Sequence, residues 1–393
     1  MNMKTTTGFH SLKRINSVLG PYSRISSNSL RASTMSTPHT EEELAKGLQP
    51  VLSKRIYVLG IGNLGRLFAH ALAMGPSPPL ITLLFHRPTL HEEWVRDGRT
   101  IEIIHNGISQ KGGVFDAESI ECAGIISHLI VATKAQHTAK AIQSIKHRLH
   151  PSSTLLFLQN GMGTVEEVNE KVFQHLPERP KYLIGITSHG VYSNGPFSSV
   201  LAGRATATIA SIASSQINGT ARDSTNTEND NYLLHQVQQP DILNVKQVSH
   251  DQILQLQLEK LVMNAMINPL TVIFDCKNGE LFKIEAATQY MEKLLAEASQ
   301  IICSLPELAG RPEVKKRFAT TRLKQIVLDI ANVTAGNTSS MRQDVQAGKK
   351  TEIDYINGYI VKKGKEFGIK CPINEGLVEQ IREIEDRQQS SAS

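Results

Sequence analysis

Residues 55–73 limit how this chain can fold more than any other stretch. A short apolar run, Arg55 to Leu59, leads straight into Gly60-Ile61-Gly62-Asn63-Leu64-Gly65. Behind that turn, Arg66 to Ala73 has helical apolar spacing. A GxGxxG triplet carries little information alone, but between a strand and a helix it specifies a tight βα turn. Gly60 permits the turn, Gly62 lets a pyrophosphate approach the backbone, and Gly65 permits close helix–strand packing. The helix N-terminus then faces negative charge. The plainer alternative is a tight turn with no ligand. Residues 60 to 65 are taken as candidate cofactor-binding residues.

The rest of the chain continues in the same manner. Pro76, Pro78 and Pro79 end the first helix. Apolar runs predict strands at Leu80–Phe85, Thr100–His105, Ser127–Thr133, Ser153–Leu158, Tyr182–Thr187 and Thr206–Ile212. Short apolar strands alternating with helices favour a parallel sheet. From about His250 the spacing turns helical, at 251–273, 284–303, 312–337, 353–367 and 374–384. The expected fold class is therefore α/β: a Rossmann-type dinucleotide-binding domain over 51–245, then an all-α domain over 246–393 for substrate and catalysis. The tract Ser214 to Asp230, rich in Ser, Asn and Thr, reads as a polar surface insertion.

Residues 1–50 read as a disordered extension to this fold. Lys4, Lys13, Arg14, Arg24 and Arg31 are there, with no acid before Glu41. That is the composition of a mitochondrial transit peptide. A plain tail, or a start at Met35, is the alternative, and would suit a cytoplasmic protein. Without the first forty residues the net charge of +5 falls close to zero, which leaves no basic footprint for nucleic acid. Cys122, Cys276, Cys303 and Cys371 form no CxxC pair, so neither a zinc site nor a secreted disulfide framework is expected. No apolar run reaches transmembrane length, and no membrane partner is expected.

Three strand ends carry candidate site residues. An NAD site usually places Asp or Glu after the second strand, to bind the ribose 2′-hydroxyl. This chain has Phe85-His86-Arg87-Pro88. Arg87 would suit a 2′-phosphate, so NADPH is expected over NADH; a solvated surface arginine is the alternative. Lys134, after Val131-Ala132-Thr133, is placed to meet cofactor phosphate or ribose, or else is merely solvated. Asn160, in Leu158-Gln159-Asn160-Gly161-Met162-Gly163, either faces nicotinamide or substrate, or adopts a left-handed turn.

In the helical half, Lys260, Asn264 and Asn268 recur every fourth residue among Leu261, Val262, Met263, Ala265, Met266 and Ile267. Four helical residues rotate only about 40°, so the three polar heads share one stripe. Burying a lysine is costly, and desolvation lowers its pKa toward the range useful for proton transfer. A snorkelling lysine with two core asparagines is the other reading. Ser340 and Glu352 both stand near helix starts, where a hydroxyl or a carboxylate often has only an end-capping role.

Together these residues resemble the ketopantoate reductase family, from about Lys54 to Arg387. The specific parts are Lys260, Asn264 and Asn268-Pro269-Leu270-Thr271 with the Asn278-Gly279-Glu280-Leu281 tail, then Ser339-Ser340-Met341 and Thr351-Glu352-Ile353-Asp354-Tyr355-Ile356-Asn357-Gly358. The resemblance implies reduction of 2-dehydropantoate to pantoate with NADPH, a step toward pantothenate and coenzyme A. It places the catalytic lysine on Lys260 and the active-site glutamate on Glu352. It places substrate-binding residues on Asn160, Asn264, Asn268 and Ser340. The expected partner is a small 2-keto acid; a homo-oligomer is allowed but not specified. Reduction of a different 2-keto acid is the nearest alternative, and a non-catalytic NADP-binding protein a more distant one.

Overall fold

The computed structural model describes residues 53–212 and 231–392. The extension at 1–50 and the polar tract at 214–230 therefore lie outside the described residues. The first strand, β1 (Ile56–Leu59), is buried at every position, and helix α1 (Asn63–Ala73) begins inside the glycine turn. The strands that follow are β2 (Ile81–Phe85), β3 (Ile101–His105), β4 (Ile108–Gly112), β5 (Phe115–Ser119), β6 (His128–Val131), β7 (Thr154–Phe157), β8 (Lys181–Thr187), β9 (Gly190–Gly195), β10 (Ser198–Gly203), β11 (Ala207–Ile212) and β12 (Val245–Gln247). Helices α2 (Pro88–Arg96), α3 (Ala135–Ser144), α4 (Thr164–Lys171) and α5 (Tyr232–Gln238) are interspersed among them.

The larger sheet has the order β12-β11-β8-β7-β6-β1-β2-β5. The run from β8 to β5 is parallel, and β11 returns antiparallel to β8. β2 and β6 flank β1 on opposite sides, with Leu84 and Val131 both paired in register with Leu59. The strand order reverses at this point, and a crevice opens at the carboxyl ends of the strands. Gly60, Arg87 and Lys134 follow β1, β2 and β6 on that rim.

The run Thr100–His105 does form a strand, β3, but outside the parallel sheet. It pairs with β4 and β10 in a separate four-stranded sheet, β4-β3-β10-β9. Only Ile101 and Ile103 are buried in β3, whereas all five residues of β2 are buried. A strand buried on one face suits a partly exposed sheet, and a strand buried on both suits a covered parallel one. β4 and β9 are mostly exposed and polar, so no apolar run announces them.

The helical region contains α6 (His250–Ile273), α7 (Asn278–Leu281), α8 (Glu285–Cys303), α9 (Pro312–Arg317), α10 (Thr320–Val333), α11 (Ser340–Gln346), α12 (Asn357–Glu366) and α13 (Pro372–Ala392). The expected helix over 312–337 is broken at Phe318-Ala319, where the free Phe318 carbonyl accepts from Ser299 Oγ at 2.6 Å. Ser249 and Gln252 close a capping box at the start of α6. Leu258, Leu261, Val262, Ala265 and Met266 of α6 share one core with Leu294, Ile301, Ile360 and Leu377. Among the described residues, no helix is long and apolar enough to cross a membrane.

Pro269 lies inside α6. A proline there cannot donate to the carbonyl four residues back, which is that of Ala265. Asn357 supplies the missing donor, its Nδ2 bonding Ala265 O at 3.1 Å. Asn374 Oδ1 accepts from the same amide at 3.1 Å, and both asparagines are fully buried. The strand of sequence carrying Glu352 is thereby fastened to the helix carrying Lys260.

Candidate active site

The three glycines of the first turn have different surroundings. Gly60 has a φ of +96°, and a Cβ there would stand 2.5 Å from Thr133 N. A Cβ on Gly65 would stand 2.0 Å from Gly60 O. Both positions require glycine for the fold itself. A Cβ on Gly62 would meet nothing within 4 Å. Gly62 therefore faces open space at the N-terminus of α1, an arrangement that fits a pyrophosphate approaching the backbone. The side chain of Asn63 is turned elsewhere, accepting from Ser199 Oγ at 3.1 Å, so only its backbone is left for such a ligand. Ile61 and Leu64 are half-buried beside it.

Arg87 precedes α2, is exposed, and its guanidinium has no hydrogen-bond or ion-pair partner among the described residues. Lys134 is not a solvated lysine. It is paired with Asp344 of α11, a residue the sequence did not single out. Gln136 adds a second tie to this segment, donating to Lys350 O at 3.2 Å.

Lys260 sits at the centre of the site. Its ammonium donates to Asn160 Oδ1 at 2.9 Å and to Thr187 O at 2.7 Å. Burial pushes its pKa down to about 8, while the charge of Glu352 pulls it upward. Desolvation wins because the carboxylate is not in contact with the ammonium. Glu352 is itself buried. One oxygen accepts from the N–H of Ala135 at 3.0 Å, at the start of α3 where the helix dipole favours a negative charge. The other faces Asn160 Nδ2 at 3.4 Å. Asn160 thus stands between lysine and glutamate, holding one with its oxygen and meeting the other with its nitrogen. It does not occupy a left-handed turn; Gly161 and Gly163 do, at φ +79° and +92°.

The polar stripe of α6 forms as the spacing predicts. Asn264 is half-buried and Asn268 is buried, yet neither side-chain amide has a protein partner among the described residues. Buried amides are normally bonded, so these two are available to a ligand. Ser340 is exposed at the first position of α11 and is equally free. Its neighbour Ser339 carries the capping role, accepting from Arg342 N at 3.1 Å. Ser339 Oγ also lies 2.7 Å from Thr271 Oγ1, and this fixes Ser340 against the Asn268 end of α6. A neighbouring cavity, lined by Gln159, Gly161, Glu166, His250 and Tyr359, includes none of Lys260, Asn160, Ser340 or Glu352.

Sequence reasoning missed Thr187 and Asp344, and it quoted Asn357 in the 351–358 run without giving it a role. Thr187 acts through its backbone carbonyl, which leaves no trace in residue type. Asp344 and Asn357 draw their meaning from partners 210 and 92 residues away.

Both halves of the chain resemble known proteins. A family model for ketopantoate reductase PanE/ApbA matches residues 56–214, and the model for its C-terminal part matches residues 252–385. A probable 2-dehydropantoate 2-reductase of Schizosaccharomyces pombe is 28% identical, over 83% of this chain and 95% of its own length. The 2-dehydropantoate 2-reductase of Yersinia pestis is 32% identical, over 65% of this chain and 74% of its own. A ketoisovalerate reductase of Beauveria bassiana is 28% identical, over 84% and 83%. Among solved structures, a probable 2-dehydropantoate 2-reductase from Bacillus subtilis shares the fold, with TM-score 0.64 and 23% identity over 84% of this chain and 99% of its own.

Proposed function

This chain belongs to the ketopantoate reductase family of oxidoreductases, and from that premise we propose that it reduces 2-dehydropantoate to pantoate with NADPH. One observation carries the reading. Lys260 has three N–H donors, and protein oxygens hold two of them. The third is left for a substrate oxygen, beside the unpartnered amides of Asn264 and Asn268.

A bound NADPH, held at the Gly62 turn and Arg87, would supply a hydride to C2 of the keto acid. Negative charge then grows on the carbonyl oxygen. Lys260 stabilises that charge and transfers its proton, leaving an alcohol and a neutral amine. Its depressed pKa suits this step, because a more acidic ammonium gives up its proton more readily and its neutral amine is available for the reverse reaction. Asn160 keeps the ammonium in place, and Glu352 keeps Asn160 in place. Ser340 and the two asparagines hold the substrate's carboxylate and hydroxyl. For the cofactor, Gly62 offers open backbone and Arg87 a free guanidinium where an acid would repel a 2′-phosphate.

A second reading has support of its own. Relatives named for 2-dehydropantoate and for ketoisovalerate match this chain at the same 28% identity. The two substrates differ by one hydroxymethyl group. The free side chains include a hydroxyl, Ser340, beside the two amides, and a group that can both donate and accept suits the extra hydroxyl of 2-dehydropantoate. Steady-state NADPH oxidation with 2-dehydropantoate, 2-ketoisovalerate and other 2-keto acids tests the choice. A higher kcat/KM for 2-ketoisovalerate would overturn it. On the favoured reading the product serves pantothenate and coenzyme A synthesis, and the acid-free basic N-terminus supports a mitochondrial location. Imaging of the full chain tagged at its C-terminus tests the location.

A further inference from the structure

The adenosine-side rim of the crevice carries two histidines beside Arg87. His86 and Arg87 follow β2 directly. His137 lies in the first turn of α3, its backbone N–H bonded to Lys134 O at 2.9 Å. In-register pairing of Leu59 with both Leu84 and Val131 brings these two rim segments level, one on each side of the Gly60 turn. The side chains of His86, Arg87 and His137 are all exposed. None has a hydrogen-bond or ion-pair partner among the described residues. No acid lies in 86–91 or in 132–140. Burial lowers the pKa of His86, and the nearby Arg87 and His137 lower it further. The three groups therefore share one patch, although His137 is fifty-one positions beyond His86 in the chain.

The carboxylates at the second segment are engaged elsewhere, Asp344 with Lys134 and Glu352 with the Ala135 N–H, so an arginine and two imidazoles with no side-chain partner of their own can together receive an anion. We propose that His86 and His137 complete the 2′-phosphate site that Arg87 begins, one imidazole reaching from each side of the crevice. This rests on the assignment of NADPH as the cofactor. A neutral imidazole still offers one N–H donor, and a phosphate dianion beside it favours the doubly protonated ring, which offers two. The consequence is selectivity for NADPH over NADH that is shared among three side chains.

Direct binding of each cofactor to the full chain, by calorimetry without substrate, tests this. Wild type is compared with Arg87→Ala, with His137→Ala and with the double variant His86→Ala/His137→Ala. The double variant is expected to weaken NADPH by about tenfold, or 1.4 kcal/mol, and NADH by less than about twofold. His137→Ala, on an exposed helix turn, should show part of that loss even if the double variant folds poorly. Unchanged NADPH affinity in both histidine variants, or equal losses for the two cofactors, overturns the proposal. If Arg87→Ala abolishes the preference and the histidine variants keep it, only the histidine assignment fails. If wild type binds NADH as tightly as NADPH, the cofactor assignment fails with it.

Discussion

Lys260 Nζ and Asn160 Oδ1 lie 2.9 Å apart, although 100 residues separate them in the chain. The bond joins a helix of the C-terminal half to the loop after β7. Glue of this kind fixes the direction of the ammonium, and with Thr187 O it leaves one N–H pointing away from the protein's own acceptors. That remaining donor is the one the proposed reduction uses.

Replacing Lys260 by Ala should lower kcat by at least about 100-fold, the usual contribution of a positioned general acid. Cofactor affinity, measured by titration without substrate, should stay near normal. Near-normal turnover would show that the lysine is a packing residue.

The rate of keto-acid reduction should fall as pH rises through about 8, where Lys260 loses its proton. Oxidation of the hydroxy acid needs the neutral amine and should rise through the same pH. Asn160→Asp places a carboxylate against the ammonium and favours its charged form, so the limb should move to higher pH. Profiles of kcat/KM in both directions test the sign. A limb that stays fixed in the Asp variant would remove Lys260 as its source.

Arg87→Ala should weaken NADPH about 10- to 100-fold, the range for one charge-assisted hydrogen bond to phosphate. NADH should change little. Equal losses would show that Arg87 does not read the 2′-phosphate.

Asn357→Ala should destabilise the fold by about 1–3 kcal/mol, because it leaves the Ala265 carbonyl buried beside Pro269 without a donor. Thermal melting followed by circular dichroism would show the drop. An unchanged Tm would mean that another group satisfies that carbonyl.

Much of the site was legible because its residues carry chemistry in their types. A lysine and two asparagines at four-residue spacing on an apolar helix are conspicuous, and so is a glycine turn between strand and helix. Helical rotation alone aligns Lys260 with Asn264 and Asn268. Strand order alone puts Gly60, Arg87 and Lys134 on one rim. β4, β9 and the second sheet were not legible, since exposed polar strands lack an apolar period.

What the sequence determined by itself was the inventory: a β/α half, a helical half, and the polar groups set into each. Tertiary structure decided how they act. It turned Ser339 inward as a cap and left Ser340 free. It tied Lys134 to Asp344, and it put Asn160 between Lys260 and Glu352. Local spacing governs what a helix or strand presents. Only the packing of the two halves against each other sets the distances on which hydrogen bonding and desolvation depend, and with them the pKa of Lys260.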